Sequence, residues 1–402
     1  MTNKLGIKNM KFRRLVFIQI TLGHYHYPRM QTLNSYCREA GVSLYNIEIA
    51  SYTTVYHWIL ENNREGFYNI TLFPGQVLEE IPAKKMWPAL KNKLEELKPD
   101  VVFMVGYSLS VIRKAKLWAD ENKVATVIIS DSNEFDKKRY GIFEFLKSLL
   151  ISRFDAAFVA GTSASKYMQK LGIPEERITY GCDVIDTTFF SDRANENKKN
   201  SSCVREKWNL PEHYFLVVTR LAKEKNLQRL LAAYREYVIG FGGDLDPWKL
   251  IICGTGPEEE KLRGHIMDMP EQIRKIILLY GYVKQPDIID FYSCASCLVL
   301  PSWCETWGLV VNEAMACSLP VIITNKAGCS FDLVRNDFNG WVFDPFNVSE
   351  LTSLMTKMTR LNESARAEMG LRGREIISTW GLDRYCQGVM ESARIAYDRR
   401  NQ

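Results

Sequence analysis

The sequence predicts an α/β protein made of two domains, each a parallel sheet flanked by helices. Three observations carry this reading. Short β-branched runs alternate with longer amphipathic segments along the whole chain, which is the pattern of parallel-sheet proteins. The alternation breaks once, over 191–207, where Asp, Asn, Lys and Ser dominate and apolar residues nearly vanish. At 402 residues the chain also exceeds one ordinary domain of about 150 residues.

In the first half the spacing predicts strands over 15–20, 101–105, 124–129 and 156–160, with helices over 28–40, 87–97, 108–121 and 141–153. In the second half it predicts strands over 215–218, 249–253, 277–279, 296–300 and 320–324. Helices are expected there over 226–237, 257–267, 285–293, 308–317 and 349–361. A last amphipathic stretch, 382–400, reads as a helix able to pack back across the first domain. The boundaries expected are 1–190 for the first domain, 191–210 for a linker, 211–380 for the second domain and 381–402 for the closing helix. Parallel sheets bind ligands at the carboxyl ends of their strands, so both domains would present their ligand loops to a cleft between them.

Composition narrows the class. Apolar residues make up 46% and charged residues 25%, which excludes disorder and fibrous repeats as the main description. The formal charge of +5 does not by itself suggest nucleic acid, but suits anionic ligands or an anionic membrane surface. No stretch is apolar for the roughly 18 residues that a bilayer span needs. The basic N-terminus (Lys4, Lys8, Lys11, Arg13, Arg14) and the apolar run 15–22 resemble a signal peptide superficially. Gly23-His24-Tyr25-His26 follows with no small-residue cleavage site, so a buried first strand is expected instead. Ten cysteines lack any framework spacing and read as reduced thiols in a soluble, cytoplasmic protein.

The densest chemistry lies at Pro301-Ser-Trp-Cys-Glu305-Thr-Trp307-Gly308-Leu309-Val-Val-Asn-Glu313. A strand ends, a loop carries Glu305, and a helix opens near Gly308 with unpaired N–H groups suited to an anion. Glu313 follows inside that helix. For an isolated pair of this spacing, a loop carboxylate and a solvated helix carboxylate are the commoner explanation. Upstream, Arg220 and Lys225 follow a strand, offering a fork and a point charge suited to a diphosphate. Alone they would be a solvated charge cluster. Gly254-Thr-Gly256-Pro257 is a strand-to-helix turn, weak on its own. Gly281-Tyr282-Val283 could let backbone approach a nucleobase.

Taken in order, Arg220 and Lys225, Gly254-Thr-Gly-Pro, Gly281-Tyr-Val, Glu305-Thr-Trp-Gly-Leu with Glu313, and Gly340-Trp-Val-Phe-Asp344-Pro resemble one family. It is the donor domain of retaining glycosyltransferases of the GT-B fold, family 4, also called glycosyltransferase group 1. The resemblance is strongest over 215–345. It implies two Rossmann-like domains and metal-independent transfer of a sugar from a nucleotide-diphosphate sugar with retention of configuration. That co-substrate is the only small molecule implied, with no separate cofactor. By resemblance, Arg220 and Lys225 would neutralise the leaving diphosphate and Glu305 would bind the transferred sugar. Gly254 and the backbone at Trp307, Gly308 and Leu309 would hold sugar and phosphate, Glu313 the ribose, and Val283 would lie near the base.

In the first half, Gly23-His24-Tyr25-His26-Tyr27-Pro28-Arg29 follows the first strand. By resemblance this loop faces donor phosphate and acceptor, which makes Gly23, His24, His26 and Arg29 candidates. His24 and His26 share a face and could begin a metal site, but no third ligand is nearby and none is expected. The resemblance places a histidine after a later strand, where this chain has Ser130-Asp131-Ser132-Asn133-Glu134. Asp131 or Glu134 could take over that contact, and a polar helix-capping loop explains the residues about as well.

Weaker signals have bland readings. Cys294-Ala-Ser-Cys297 is better read as core than as zinc ligands. Asp244-Leu-Asp246 lies in a turn. Lys137-Lys138-Arg139 before the helix over 141–153 could touch an anionic bilayer, although a solvated helix end is the commoner use of such a run. Tyr45, Tyr52, Tyr56, Trp58, Tyr68 and Trp87 suit sugar stacking or ordinary packing. The acceptor expected is a glycan, a lipid-linked sugar or a small molecule, in polysaccharide or glycolipid assembly, with peripheral contact at the inner membrane face. Nucleic acid is not expected as a partner. The rival readings are a non-catalytic nucleotide-sugar-binding or scaffold protein and a nucleotide-sugar epimerase of the same fold.

Overall fold

Seven parallel strands form the first sheet among the described residues of a computed structural model. The structure describes residues 10–54, 66–136, 139, 141–240 and 246–402. Lys4, Lys8, Tyr56, Trp58, Lys137, Lys138 and Asp244, singled out above, lie outside them. The chain divides into two compact units. One holds Met1–Glu134, Lys138–Asp186 and Leu382–Gln402, the other Phe135–Lys137 and Thr187–Gly381.

The strands of the first unit are β1 (Arg14–Gln19), β2 (Ser43–Tyr52), β3 (Tyr68–Val77), β4 (Val101–Val105), β5 (Ala125–Ser130), β6 (Ala156–Val159) and β7 (Ile178–Tyr180). They lie in the order 3-2-1-4-5-6-7. Leu15 to Ile18 of β1 are fully buried on both faces, as expected for a central parallel strand covered by helices on each side. Val16 and Ile18 enter one apolar cluster, and on the opposite face Phe17 stacks on Phe103 with ring centroids 4.4 Å apart.

Strands β2 and β3 were not anticipated, because Asn46 and Glu48 interrupt the apolar pattern of β2. Both side chains are nevertheless buried. Asn46 accepts from Gln19 at 2.9 Å and donates to Asn69 at 2.7 Å, while Glu48 accepts from Thr71 Oγ1 at 2.8 Å. Buried polar groups that are fully bonded in this way are tolerated inside a sheet.

The helix Leu382–Arg400 belongs to this first unit, packing on β5, β6, β7 and the helix His26–Glu39. Contact is close at Gly388, where an added Cβ would lie 2.5 Å from Phe158 and 2.7 Å from the Tyr180 carbonyl oxygen. At its end, Arg400 binds buried Asp155 at 2.7 Å.

The second unit holds β8 (Tyr214–Val218), β9 (Lys249–Cys253), β10 (Ile277–Gly281), β11 (Cys297–Leu300), β12 (Val321–Thr324) and β13 (Gly340–Phe343), in the order 10-9-8-11-12-13. The order reverses between β8 and β11, the switch point where such sheets bind ligands. The expected linker over 191–210 is instead helical, as Thr187–Lys199 and Ser201–Trp208. Phe190, Ala194 and Asn197 recur at helical spacing and are buried. Asn197, Lys207 and Trp208 all bind Asp290, at 2.8 to 2.9 Å. Few apolar residues suffice when one face packs on a helix. All ten cysteines are free thiols, and Cys294 and Cys297 are buried. No helix among the described residues is long and apolar enough to cross a membrane.

Gly388→Ala is expected to destabilise the protein by about 1–3 kcal/mol through overpacking. Urea unfolding measures this, and an unchanged midpoint would contradict the close packing of the closing helix.

Candidate functional site

The site of the second unit is assembled by backbone contact between the loops that leave its strands. Thr219 donates to the Cys253 carbonyl at 3.0 Å, Leu221 to that of Thr255 at 2.8 Å, and Gly254 to that of Gly281 at 2.6 Å. Gly254 has φ +143°, and a Cβ there would lie 1.7 Å from the Thr219 carbonyl oxygen. Only glycine allows that approach. The loops carrying Arg220, Gly254 and Val283 are therefore stitched side by side.

Asn226 supplies a second constraint. Its backbone is left-handed, with φ +59°. Its buried side-chain amide donates to the carbonyls of Pro301 at 2.9 Å and Pro345 at 2.8 Å. One residue thus ties together the loops after β8, β11 and β13. Immediately before it, Lys225 Nζ donates to Glu305 Oε2 at 2.5 Å, with both side chains largely shielded (16% and 15% exposed). Ser302 Oγ donates to the same oxygen at 3.3 Å. The Glu305 backbone is held by Gly328, which donates to its carbonyl at 3.1 Å, and Trp303 is tied to Glu224 at 3.0 Å. Arg220 stands more open and pairs with Glu224 at 2.7 Å.

Gly308, at φ +104°, caps the helix Leu309–Ala316, and Glu305 packs against it. The Trp307 side chain is core: it stacks on Trp380 with centroids 5.2 Å apart and donates to Asn312 at 3.0 Å. What Trp307 offers a ligand is backbone. Glu313 is buried inside the helix, oriented by the Tyr292 hydroxyl, which donates to it at 2.6 Å. Sequence reasoning missed Asn226, Tyr292 and Ser302 as members of this cluster. Only Asn226 left a signal, by its place next to Lys225.

In the first unit the loop after β1 is built around His26. Gly23 N–H donates to His26 Nδ1 at 2.9 Å, and His26 N–H returns to the Gly23 carbonyl at 2.9 Å. Buried Glu48, also missed from sequence, accepts from Leu22 N–H at 2.8 Å and so fixes the same loop. Burial, with the Arg29 charge second, pushes the His24 ring down to about 4 and the His26 ring down to about 3. Arg29 itself corrects an expectation. It is buried and donates twice to the Val184 carbonyl, at 2.9 and 2.6 Å, so the geometry gives it a structural task rather than acceptor contact. Glu134 is exposed and pairs with Lys170, while Asp131 is half-buried in the loop after β5.

Residues 200–376 match the family described as "Glycosyl transferases group 1". Over that stretch, less than half of its length, the chain is similar to group 1 glycosyltransferases. The chain is 31% identical to part of alpha-monoglucosyldiacylglycerol synthase from Acholeplasma laidlawii, over 139 residues, 35% of this chain and 32% of that protein. A longer match, 24% identical, joins the chain to N-acetyl-alpha-D-glucosaminyl L-malate synthase from Bacillus anthracis, over 63% of this chain and 60% of that one. The chain therefore spans about a third to three fifths of these relatives. The fold matches that of Anabaena Alr3699/HepE, solved in complex with UDP, with TM-score 0.72 and 14% identity over 94% of this chain and 98% of that one. The two-sheet α/β fold is thus that of GT-B glycosyltransferases.

The depressed histidines set a pH dependence. Their folded values lie below the unfolded value of 6.5, so unfolding takes up protons between pH 6.5 and about 3. Stability is complete above pH 6.5 and falls as pH drops through that window. Relative to His26→Asn, the wild type is expected to lose up to about 2 kcal/mol between pH 7 and 5, at the limit of about 1.4 kcal/mol per pH unit for one group. Urea titrations of both proteins measure it, and parallel pH profiles would contradict the neutral, enclosed ring.

Proposed function

We propose that this protein transfers a sugar from a nucleotide-diphosphate sugar to an acceptor hydroxyl, with retention of anomeric configuration and without a metal ion. The Lys225–Glu305 pair, held at 2.5 Å beside the opening of a helix, carries the reading. Before donor arrives, the two charges satisfy one another. On binding, the diphosphate replaces the carboxylate as the partner of Lys225, and Glu305 accepts hydrogen bonds from the sugar hydroxyls. Arg220, paired with Glu224 on the open side of its loop, adds a fork to the diphosphate. Backbone N–H groups at Gly308 and Leu309 complete the anion site, and Glu313, aimed by Tyr292, takes the ribose.

In the reaction the bond from the anomeric carbon to the phosphate oxygen breaks, one to the acceptor oxygen forms on the same face, and the acceptor hydroxyl's proton passes to the departing diphosphate. Charge builds on the departing diphosphate, where preorganised cations are worth most. Two cationic side chains supply the role a divalent ion would otherwise play. In the first unit, Gly23 is a donor-side candidate, His24, His26 and Glu134 are acceptor-side candidates, and Asp131 is a catalytic one. The acceptor is a glycan, a lipid-linked sugar or a small molecule met on the cytoplasmic side of a membrane.

A panel of uridine-, guanosine- and adenosine-diphosphate sugars, read by thermal shift and by nucleotide release with and without acceptor extract, tests the proposal. One nucleotide is expected to stabilise the protein and to be released slowly. Lys225→Ala and Glu305→Ala should each lower release by about 100-fold or more, as loss of a transition-state partner does. Chelation of divalent ions should leave the rate unchanged. Binding without release would favour a non-catalytic carrier, conversion of the sugar without transfer would favour an epimerase, and no binding would remove the donor site.

A further inference from the structure

The helix Gly141–Ile151 is amphipathic in the wrong sense for a protein surrounded by water. At 100° per residue, Ile142, Phe145, Leu146 and Leu149 fall on one face, and they are 66%, 58%, 55% and 52% exposed. The opposite face meets the body of the first unit with its polar groups. Glu144 accepts from the Tyr167 hydroxyl at 2.7 Å, and Lys147 binds Glu144 at 2.5 Å and Tyr167 at 3.2 Å. Of the eleven residues only Ile151, the last, is buried in the core. The helix is thus a ridge fastened by its polar side, with its apolar side outward. A contiguous exposed apolar face of this kind marks an interaction site rather than chance.

Charge identifies what the face meets. Over 137–153 the sequence carries Lys137, Lys138, Arg139, Lys147 and Arg153 against Glu144 alone, five basic groups to one acidic, a net charge of +4. The helix cannot span a bilayer, because eleven residues reach only about 16 Å at 1.5 Å each. An apolar ridge on a segment of net positive charge fits a helix lying in the plane of an anionic membrane surface, its apolar side among the acyl chains.

We propose that Ile142, Phe145, Leu146 and Leu149 dock the first unit onto an anionic lipid bilayer. The proposal does not depend on the transferase reading, since membrane binding is read without turnover. The test is flotation of the full chain with vesicles of equimolar phosphatidylcholine and phosphatidylglycerol, beside vesicles of phosphatidylcholine alone. The protein is expected to float with the mixed vesicles, less with the zwitterionic ones, and less again at about 0.5 M salt, where surface attraction is screened.

The double variant L146E/L149E changes two exposed side chains and should keep its circular dichroism and thermal unfolding. It is expected to lower the bound fraction by about tenfold or more, because the buried apolar area sets the affinity. Failure of the wild type to float would overturn the proposal, and so would equal flotation of the variant. So would a wild-type dimer that becomes a monomer in the variant while neither binds vesicles, a result that assigns the ridge to contact between copies of this chain.

Discussion

A single buried amide carries the geometry of the second unit. Asn226 sits in a left-handed conformation and gives both amide hydrogens to carbonyls of two other loops, at Pro301 and Pro345. Loop carbonyls at the ends of parallel strands lose water when the loops close over the sheet, and each must find a donor. Asn226 provides two at once. In doing so it holds Lys225 opposite Glu305, so the charge pair inherits its position from backbone bonding rather than from its own attraction. The Gly254 turn works to the same end, since the absence of a side chain lets two loops meet backbone to backbone.

The first unit meets the same cost with different residues. Glu48, Arg29 and Asp155 are all buried, and each binds backbone or an opposite charge. Glu48 and His26 both grip the loop after β1, one through Leu22 and the other through Gly23. Buried ionic groups add little net stability but strongly penalise rearrangement. Loops that must present a defined surface to a ligand are therefore well served by them. The helix Gly141–Ile151 departs from this economy, setting half-buried polar groups against the protein while apolar ones face outward. Its inward polar groups satisfy one another through Tyr167.

Much of the fold was legible without coordinates. Central strands such as β1, β4 and β11 are apolar on both faces, and Gly308 and Gly254 mark turns that other residues cannot make. The strands that escaped, β2 and β3, conceal buried amides and a carboxylate whose partners lie on neighbouring strands, which no local pattern reveals. The segment 191–210 reads as a linker by composition because the inward face of its helices is narrow and their polar groups bind Asp290, more than eighty positions away.

The sequence by itself determined the alternation of strands and helices and the identity of the charged residues at the strand ends. These rest on local periodicity and on which residue types turns and anions require. Only the tertiary structure decided which charges meet and which are spent. It joined Lys225 to Glu305, consumed Arg29 on the Val184 carbonyl, and turned the apolar face of Gly141–Ile151 outward. Each of these outcomes is set by a partner distant along the chain or by the direction a helix faces once packed, and neither is encoded in the spacing of neighbouring residues.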